Sequence, residues 1–426
     1  QLLSEKLDFP EKLFQLIRTG PVLYFVGHML DYPPSFQMDD RPMRFPPSPA
    51  LERELRTEIA KKLDEVRPAK GFCSGACGSD LLFAEAMLER GTELHLVLPF
   101  ALEDFYQTSV DFGLEYLRAY RKRFQAICDN PKVQKHYATE QRYLSDPVMW
   151  ENANRFAQGI TLLTASQIRA QPMALAVREP NAPRRRGGTT HFIEEWQERG
   201  FPVKEINLQA IRERVDPQLP EWWGQVSPPQ DWGEAPTRGH RRAVKCILFS
   251  DLKNYSKLQD HQTPAFFSGW LKELVNVIHS AEHCPVCCNT WGDGLFMIFN
   301  QAKDAASFAL SLLKKLESIA FEEMGLPKDT TVRIGMHAGP VFPHWDQITG
   351  RQNFFGTQVN RAARIEPATL PGCAYVSEQF ASMLALEEDH DFECEHIGFL
   401  ELGKSHDRFQ CKLYQLYRAD SGDSEQ

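Results

Sequence analysis

The chain has 426 residues, 42% apolar and 25% charged, a balance that belongs to globular proteins. Its length exceeds one ordinary core and fits two or three domains of ~150 residues each. A net charge of −9 argues against a nucleic-acid or anionic-membrane partner. No apolar run approaches the ~18 residues of a membrane span.

The opening "QLLSEKLDFPEK" does not read as a secretory signal, so a cytoplasmic location is expected. "GPVLYFVGH" reads as a buried strand, and "SPALERELRTEIAKKLDEV" has helical spacing with Ser48 as its N-cap. "KGFCSGACGSD" is a glycine-rich strand-to-helix loop opening onto the helix "LLFAEAMLERG". The strand "ELHLVLPF", the helices "DFGLEYLRAYRKRFQAI" and "NANRFAQGITLLTAS", and the strand "MALAVRE" follow. The loop "PRRRGGTTH", the helix "FIEEWQER" and the strand "PVKEINL" close the series. Strand–helix alternation of this kind predicts an α/β, doubly wound parallel sheet.

Ligands of such sheets sit at the carboxyl ends of strands, where helix N-termini offer unpaired N–H groups to anions. Gly75, Gly78, Ser79, Gly187, Gly188 and Thr189 fit that crevice. The same glycines also suit tight turns and close packing, and "CSGACGSD" is not GxGxxG. On "GACGSD" and "RRGGTTHFIEEW", residues 20–210 resemble the SLOG family, Rossmann-like domains thought to sense nucleotide-derived ligands. That resemblance implies a sensor.

Residues 211–240 read as a linker, concentrating Pro, Gly and Trp with no helical or strand period. Its tryptophans imply that it packs against something. Beyond it, Cys284 and Cys287 form the one CxxC, with His283 beside them as a conceivable third ligand. With no second CxxC, packed thiols in a reducing compartment are the simpler reading of the ten cysteines.

In "RRAVKCILFSDLKNYSKL" a strand from Val244 to Ser250 ends at Asp251. In "NTWGDGLFMIFN" Asp293 tops a hairpin that runs into an apolar strand. Neighbouring strands lie ~4.8 Å apart, so the two carboxylates can share cations, and hard oxygen donors suit Mg²⁺ or Mn²⁺ held with substrate phosphates. Singly, Asp251 could cap the next helix and Asp293 could be an ordinary turn residue. "FFGTQVNRAARIEP" continues as a helix on which Asn360 and Arg364, four apart, share a face. Together they make donors for an anionic phosphorane-like species, while Arg361 points elsewhere, to solvent or packing. Lys404, in "LELGKSHDRF", lies on a polar loop between two late strands, where it is either a solvated surface lysine or, with the rest of the set, a ligand of β- or γ-phosphate oxygens.

These motifs, with "RIGMHAGPVF" between them, occur in the order found in class III nucleotidyl cyclases, the family of adenylate and guanylate cyclases, which residues 241–420 resemble. The resemblance implies a ferredoxin-like βααββαβ core and a homodimer with composite sites. One protomer would supply Asp251 and Asp293 for two Mg²⁺ or Mn²⁺ ions, the other Asn360, Arg364 and Lys404. It assigns the loop Leu252–Ser256 to the triphosphate, with Asn254, Tyr255 and Ser256 where the family has Gly-Phe-Thr. Asn289 and Asn353 match the base-reading positions, and an amide serves several base edges. Trp291 either fills space that a purine needs or is a core aromatic. The implied reaction is cyclisation of a nucleoside triphosphate, ATP first, for intracellular signalling. UTP or CTP cyclisation, as in antiphage members of the family, and an inactive nucleotide-binding or dimerising module are the alternatives.

Overall fold

Six short strands, four of them buried along their middle and the two outermost largely exposed, build the first half of the chain. They are β1 (Val22–Gly27), β2 (Lys70–Cys73), β3 (Glu93–Leu98), β4 (Val133–Tyr137), β5 (Pro172–Arg178) and β6 (Val203–Asn207). Between them run α1 (Pro49–Val66), α2 (Ser79–Glu89), α3 (Arg118–Cys128), α4 (Val148–Gln167) and α5 (Thr189–Glu198), with α6 (Leu208–Val215) after β6. All strand pairings are parallel, in the order β4-β3-β2-β1-β5-β6, so this is a Rossmann-like doubly wound sheet. The order reverses at β1 and β5, which places a crevice outside their carboxyl ends. The computed structural model describes residues 20–36, 43–180, 188–227, 241–253, 255, 258–280, 284–324, 328, 330–403 and 409–419. The chain divides into two units, Gln1–Ala235 and Pro236–Gln426.

Three local expectations change. The helix expected from Asp111 begins at Arg118, because Phe112 and Gly113 take φ of 54° and 70° and end any helical path there. Strand β4 was not anticipated: of its five residues only Val133 and His136 are buried, so it lacks an apolar run. The first unit also extends past residue 210. Trp223 is buried in it and Trp222 stacks on Tyr116 with ring centroids 4.9 Å apart. The start of the expected linker is therefore docked; residues 228–240 lie outside the described residues.

The second unit contains β7 (Ala243–Leu252), α7 (Thr263–Ser280), β8 (Cys287–Trp291), β9 (Gly294–Phe299), α8 (Ala302–Glu317), β10 (Val332–Asp346) and β11 (Arg351–Phe355). It continues with α9 (Thr357–Ile365), β12 (Ala374–Ser377), α10 (Glu378–Ala385), β13 (Phe392–Leu402) and β14 (Phe409–Arg418). Its sheet runs β13-β14-β12-β10-β7-β9-β8, with β11 paired to β10. The antiparallel segment β10-β7-β9-β8 is the ferredoxin-like order. Between β7 and β8 one α-helix is described rather than two, and a 3₁₀ turn at Asp260–Gln262 runs straight into it.

Candidate active site

The site is built on one face of the second sheet. Side chains alternate along a strand, so Phe249 and Asp251 of β7 share a face. Phe249 lies opposite Phe296 of β9, which lies opposite Asn289 of β8. Cys287, Asn289 and Trp291 alternate on the same face of β8, and Arg333 of β10 pairs directly with Asp251. Metal-binding and base-reading candidates thus come from neighbouring strands of one surface.

Asp293 occupies the two-residue turn between β8 and β9. Gly292 takes φ 65° there, a conformation that favours glycine. The turn delivers the Asp293 carboxyl to Asp251. Partial burial, and then the Asp251 carboxylate, push Asp293 up to about 6, against a hydrogen bond donated by the Leu252 amide. Asp251 accepts a 2.6 Å bond from Arg333, whose Nε lies 3.1 Å from Glu366. Glu366 is itself pushed up to about 7, by burial first and then, against the pull of Arg333, by the two aspartates. Three carboxyls therefore crowd one guanidinium, an excess of negative potential that a divalent cation would relieve. Asp251 and Asp293 fit Mg²⁺ or Mn²⁺ as hard oxygen donors. Among the described residues no group of three or more His, Cys, Asp or Glu is disposed to hold a metal, so phosphate or water oxygens would complete the shell. The sequence reading missed Arg333 and Glu366; the signal was an arginine in "VRIGMHAG", on the strand facing Asp251.

The triphosphate loop is partly committed. The Leu252 amide points to Asp293, and the Lys253 amide donates to the Thr331 carbonyl at 2.8 Å. The Tyr255 ring packs on Phe266, with its hydroxyl beside Gly292. Ser256 and Lys404 lie outside the described residues.

Helix α9 runs over β10. Asn360 is exposed on it, and the Arg364 guanidinium sits 5.7 Å from the Phe409 ring, with Arg361 at 4.9 Å from the same ring. Both guanidiniums thus lie against the Phe409 ring. Asn360 and Arg364 belong to a different element from the acidic pair, and Glu366, just past the helix, is the residue that reaches Arg333.

The two amides converge on a thiol. Asn289 Nδ2 lies 3.9 Å from Cys287 Sγ, which lies 4.0 Å from Asn353 Oδ1. Asn353 Oδ1 also accepts the Phe354 amide at 2.9 Å, and its side chain bonds to Asp346. Both ends of the Asn353 amide are therefore engaged within the protein. Trp291 is 64% exposed, so its expected alternative as a core aromatic is wrong: the strand ends there and one side of the indole stays open. All ten cysteines are free thiols.

In the first unit a cavity of about 790 Å³ opens at the carboxyl ends of β1, β2 and β3 and the N-terminus of α5. Gly188 and Thr189 line it, as do His28, Arg44, Ser74, Asp80 and Trp150, which sequence reading did not single out. Gly75, Gly78 and Ser79 do not. A Cβ on Gly75 would meet the Phe124 ring at 2.9 Å, and one on Gly78 the Leu30 amide nitrogen at 2.8 Å, so both are packing glycines. Ser79 gives its amide and hydroxyl to the His28 carbonyl at 3.2 and 2.8 Å. Asp80 accepts from the Ser74 amide and hydroxyl at 3.1 and 2.8 Å. The N-terminus of α2 is thus satisfied internally. Gly187 lies outside the described residues.

The sheet order and acid-bearing hairpin define a cyclase-type catalytic fold. Residues 240–417 match the family model for the adenylate and guanylate cyclase catalytic domain, and this segment belongs to that family. Putative adenylate cyclase 3 of Rhizobium meliloti (strain 1021) is 28% identical over 157 residues, 36% of this chain and 25% of that protein. Guanylate cyclase 2G of Mus musculus is 31% identical over 148 residues, 32% of this chain and 14% of that protein. The crystal structure of adenylyl cyclase CyaB from P. aeruginosa aligns at 18% identity with a TM-score of 0.36, covering 43% of this chain and 97% of that one. The chain thus spans a quarter or less of these curated relatives' length.

Proposed function

We propose that the second unit cyclises a nucleoside triphosphate, with ATP the first substrate to test. The observation that carries this reading is the meeting of Asp251 and Asp293 beside Arg333 in a domain of the cyclase family. The 3′-hydroxyl oxygen attacks the α-phosphorus, the bond to the β-phosphate oxygen breaks, and the products are a 3′,5′-cyclic nucleotide, pyrophosphate and a proton. Mg²⁺ or Mn²⁺, when bound by Asp251 and Asp293, would acidify that hydroxyl and neutralise the departing phosphates. Arg333 holds Oδ2 of Asp251 and so leaves Oδ1 to face a cation. Asn360 and Arg364, with Lys404, supply donors to the α-phosphate and the pyrophosphate from a second copy of the chain. Positioning and charge stabilisation account for the rate, and no covalent intermediate on the protein is needed.

The first unit is the input domain in this reading. Its cavity lies where doubly wound sheets bind ligands, and its size suits a nucleotide-derived molecule. The test of the whole is pyrophosphate release from each of the four nucleoside triphosphates with Mn²⁺. Release that depends on both the metal and Asp293 supports it, and no release from any of the four overturns it.

A further inference from the structure

The recognition of the base is the part of this site that the acidic pair and the family do not explain. An edge-reading pocket needs free donors and acceptors, and here they are scarce. Asn353 has its carbonyl on the Phe354 amide and the Cys287 thiol, and its side chain also bonds Asp346. Asn289 is turned toward the same thiol. One half-engaged amide remains to address a base.

Beside it the sheet offers a different surface. Trp291 lies two residues beyond Asn289 on the same face of β8, 64% exposed, its ring at 18° to that of the buried Phe296. Its cross-strand partner is Gly294. At Gly294 a Cβ would find only the Trp291 and Ser250 carbonyl oxygens within 4 Å. The strand beyond Gly294 carries Asp251 on the same face. The result is a slot floored by bare backbone, with an indole on one side and the acidic pair on the other.

Resting on the nucleotide-site reading above, we infer that Trp291 is a substrate-binding residue whose indole stacks on the nucleobase, so that affinity comes from the ring face and the site accepts several bases. Stacking is tolerant of base identity because every base has a π-face, and discrimination requires buried polar groups that a wrong base leaves unpaired. Asn353, already satisfied internally, imposes no such penalty.

The test is direct binding to the full-length protein with Mn²⁺, using the 3′-deoxy forms of ATP, GTP, CTP and UTP, which cannot cyclise. Wild type is expected to bind all four within about tenfold of one another. Trp291→Leu is expected to weaken every one by about five- to a hundredfold, the value of one base–aromatic stack. Trp291→Tyr should recover most of that loss, and Gly294→Val, which fills the slot floor, should reproduce it with the indole in place. Quenching of indole fluorescence on binding should be smaller in Trp291→Leu. Unchanged affinities in Trp291→Leu, or a wild-type spread beyond about a hundredfold, would overturn the stacking role alone. So would loss of dimer by sedimentation in Trp291→Leu, which would make the indole a subunit contact. Failure of wild type to bind any of the four would overturn the nucleotide-site reading with it.

Discussion

Asp293 illustrates how a single side chain is set up by its neighbours. A glycine-initiated turn fixes its backbone, the Leu252 amide holds one oxygen, and Asp251 opposes its ionisation. Asp293→Ala should therefore abolish metal-dependent pyrophosphate release while leaving the unfolding free energy within about 1 kcal/mol, since a half-buried turn acid set against Asp251 is cheap to lose. A variant that unfolds, or one that keeps turnover, would contradict that assignment. His337 makes a prediction of another kind. It is buried between Ser377 Oγ and Gln358 Oε1, and burial, with Arg361 second, pushes its imidazole down to about 3. As pH falls below about 6.5 the unfolded chain takes up a proton that the folded one refuses, so stability present at neutral pH is lost progressively. The loss runs at up to about 1.4 kcal/mol per pH unit and ceases near pH 3, where the folded state protonates as well. Urea denaturation of wild type and His337→Asn at pH 7.5, 6 and 5 checks this, and equal pH slopes would refute it.

At the scale of elements, α9 shows what sequence could and could not disclose. "FFGTQVNRAARIEP" announces the helix and the shared face of Asn360 and Arg364. It does not disclose that the helix end rests on Gly335, where a Cβ would come within 2.3 Å of the Glu366 amide nitrogen. Gly335→Ala should consequently push Glu366 off Arg333, destabilising the fold by about 1–3 kcal/mol and lowering turnover more than KM rises. Chemical denaturation together with steady-state kinetics measures both; a neutral substitution would disprove the close packing. The strands were legible wherever apolar residues ran together, as in β1, β5 and β9. Strand β4 was not, because at a sheet edge only two of its residues are buried. Glycine motifs misled in part for the same reason: sequence cannot tell a glycine that admits a ligand from one that admits Phe124, as Gly75 does. Arg333 and Cys287 were invisible as site residues because only strand register brings them beside Asp251 and the two amides.

The whole molecule joins an α/β unit with a cavity at its sheet edge to a unit of the cyclase catalytic family. If the first is an input domain, a molecule that fills its cavity should change turnover of the full chain and leave a form lacking residues 1–235 unaffected. Parallel turnover assays of the two forms across nucleotide-derived molecules would show this, and identical responses would remove the sensor role. The two-copy site is the claim on which the catalytic account rests, and mixing two inactive variants tests it most directly. Asp293→Ala and Arg364→Ala each lack one half of every site, but a mixed dimer rebuilds one complete site of its two. An equimolar mixture should regain about a quarter of wild-type turnover, because half of the dimers are mixed and each has one working site. A mixture that stays inactive, with both variants folded and shown to exchange subunits, would contradict the shared site.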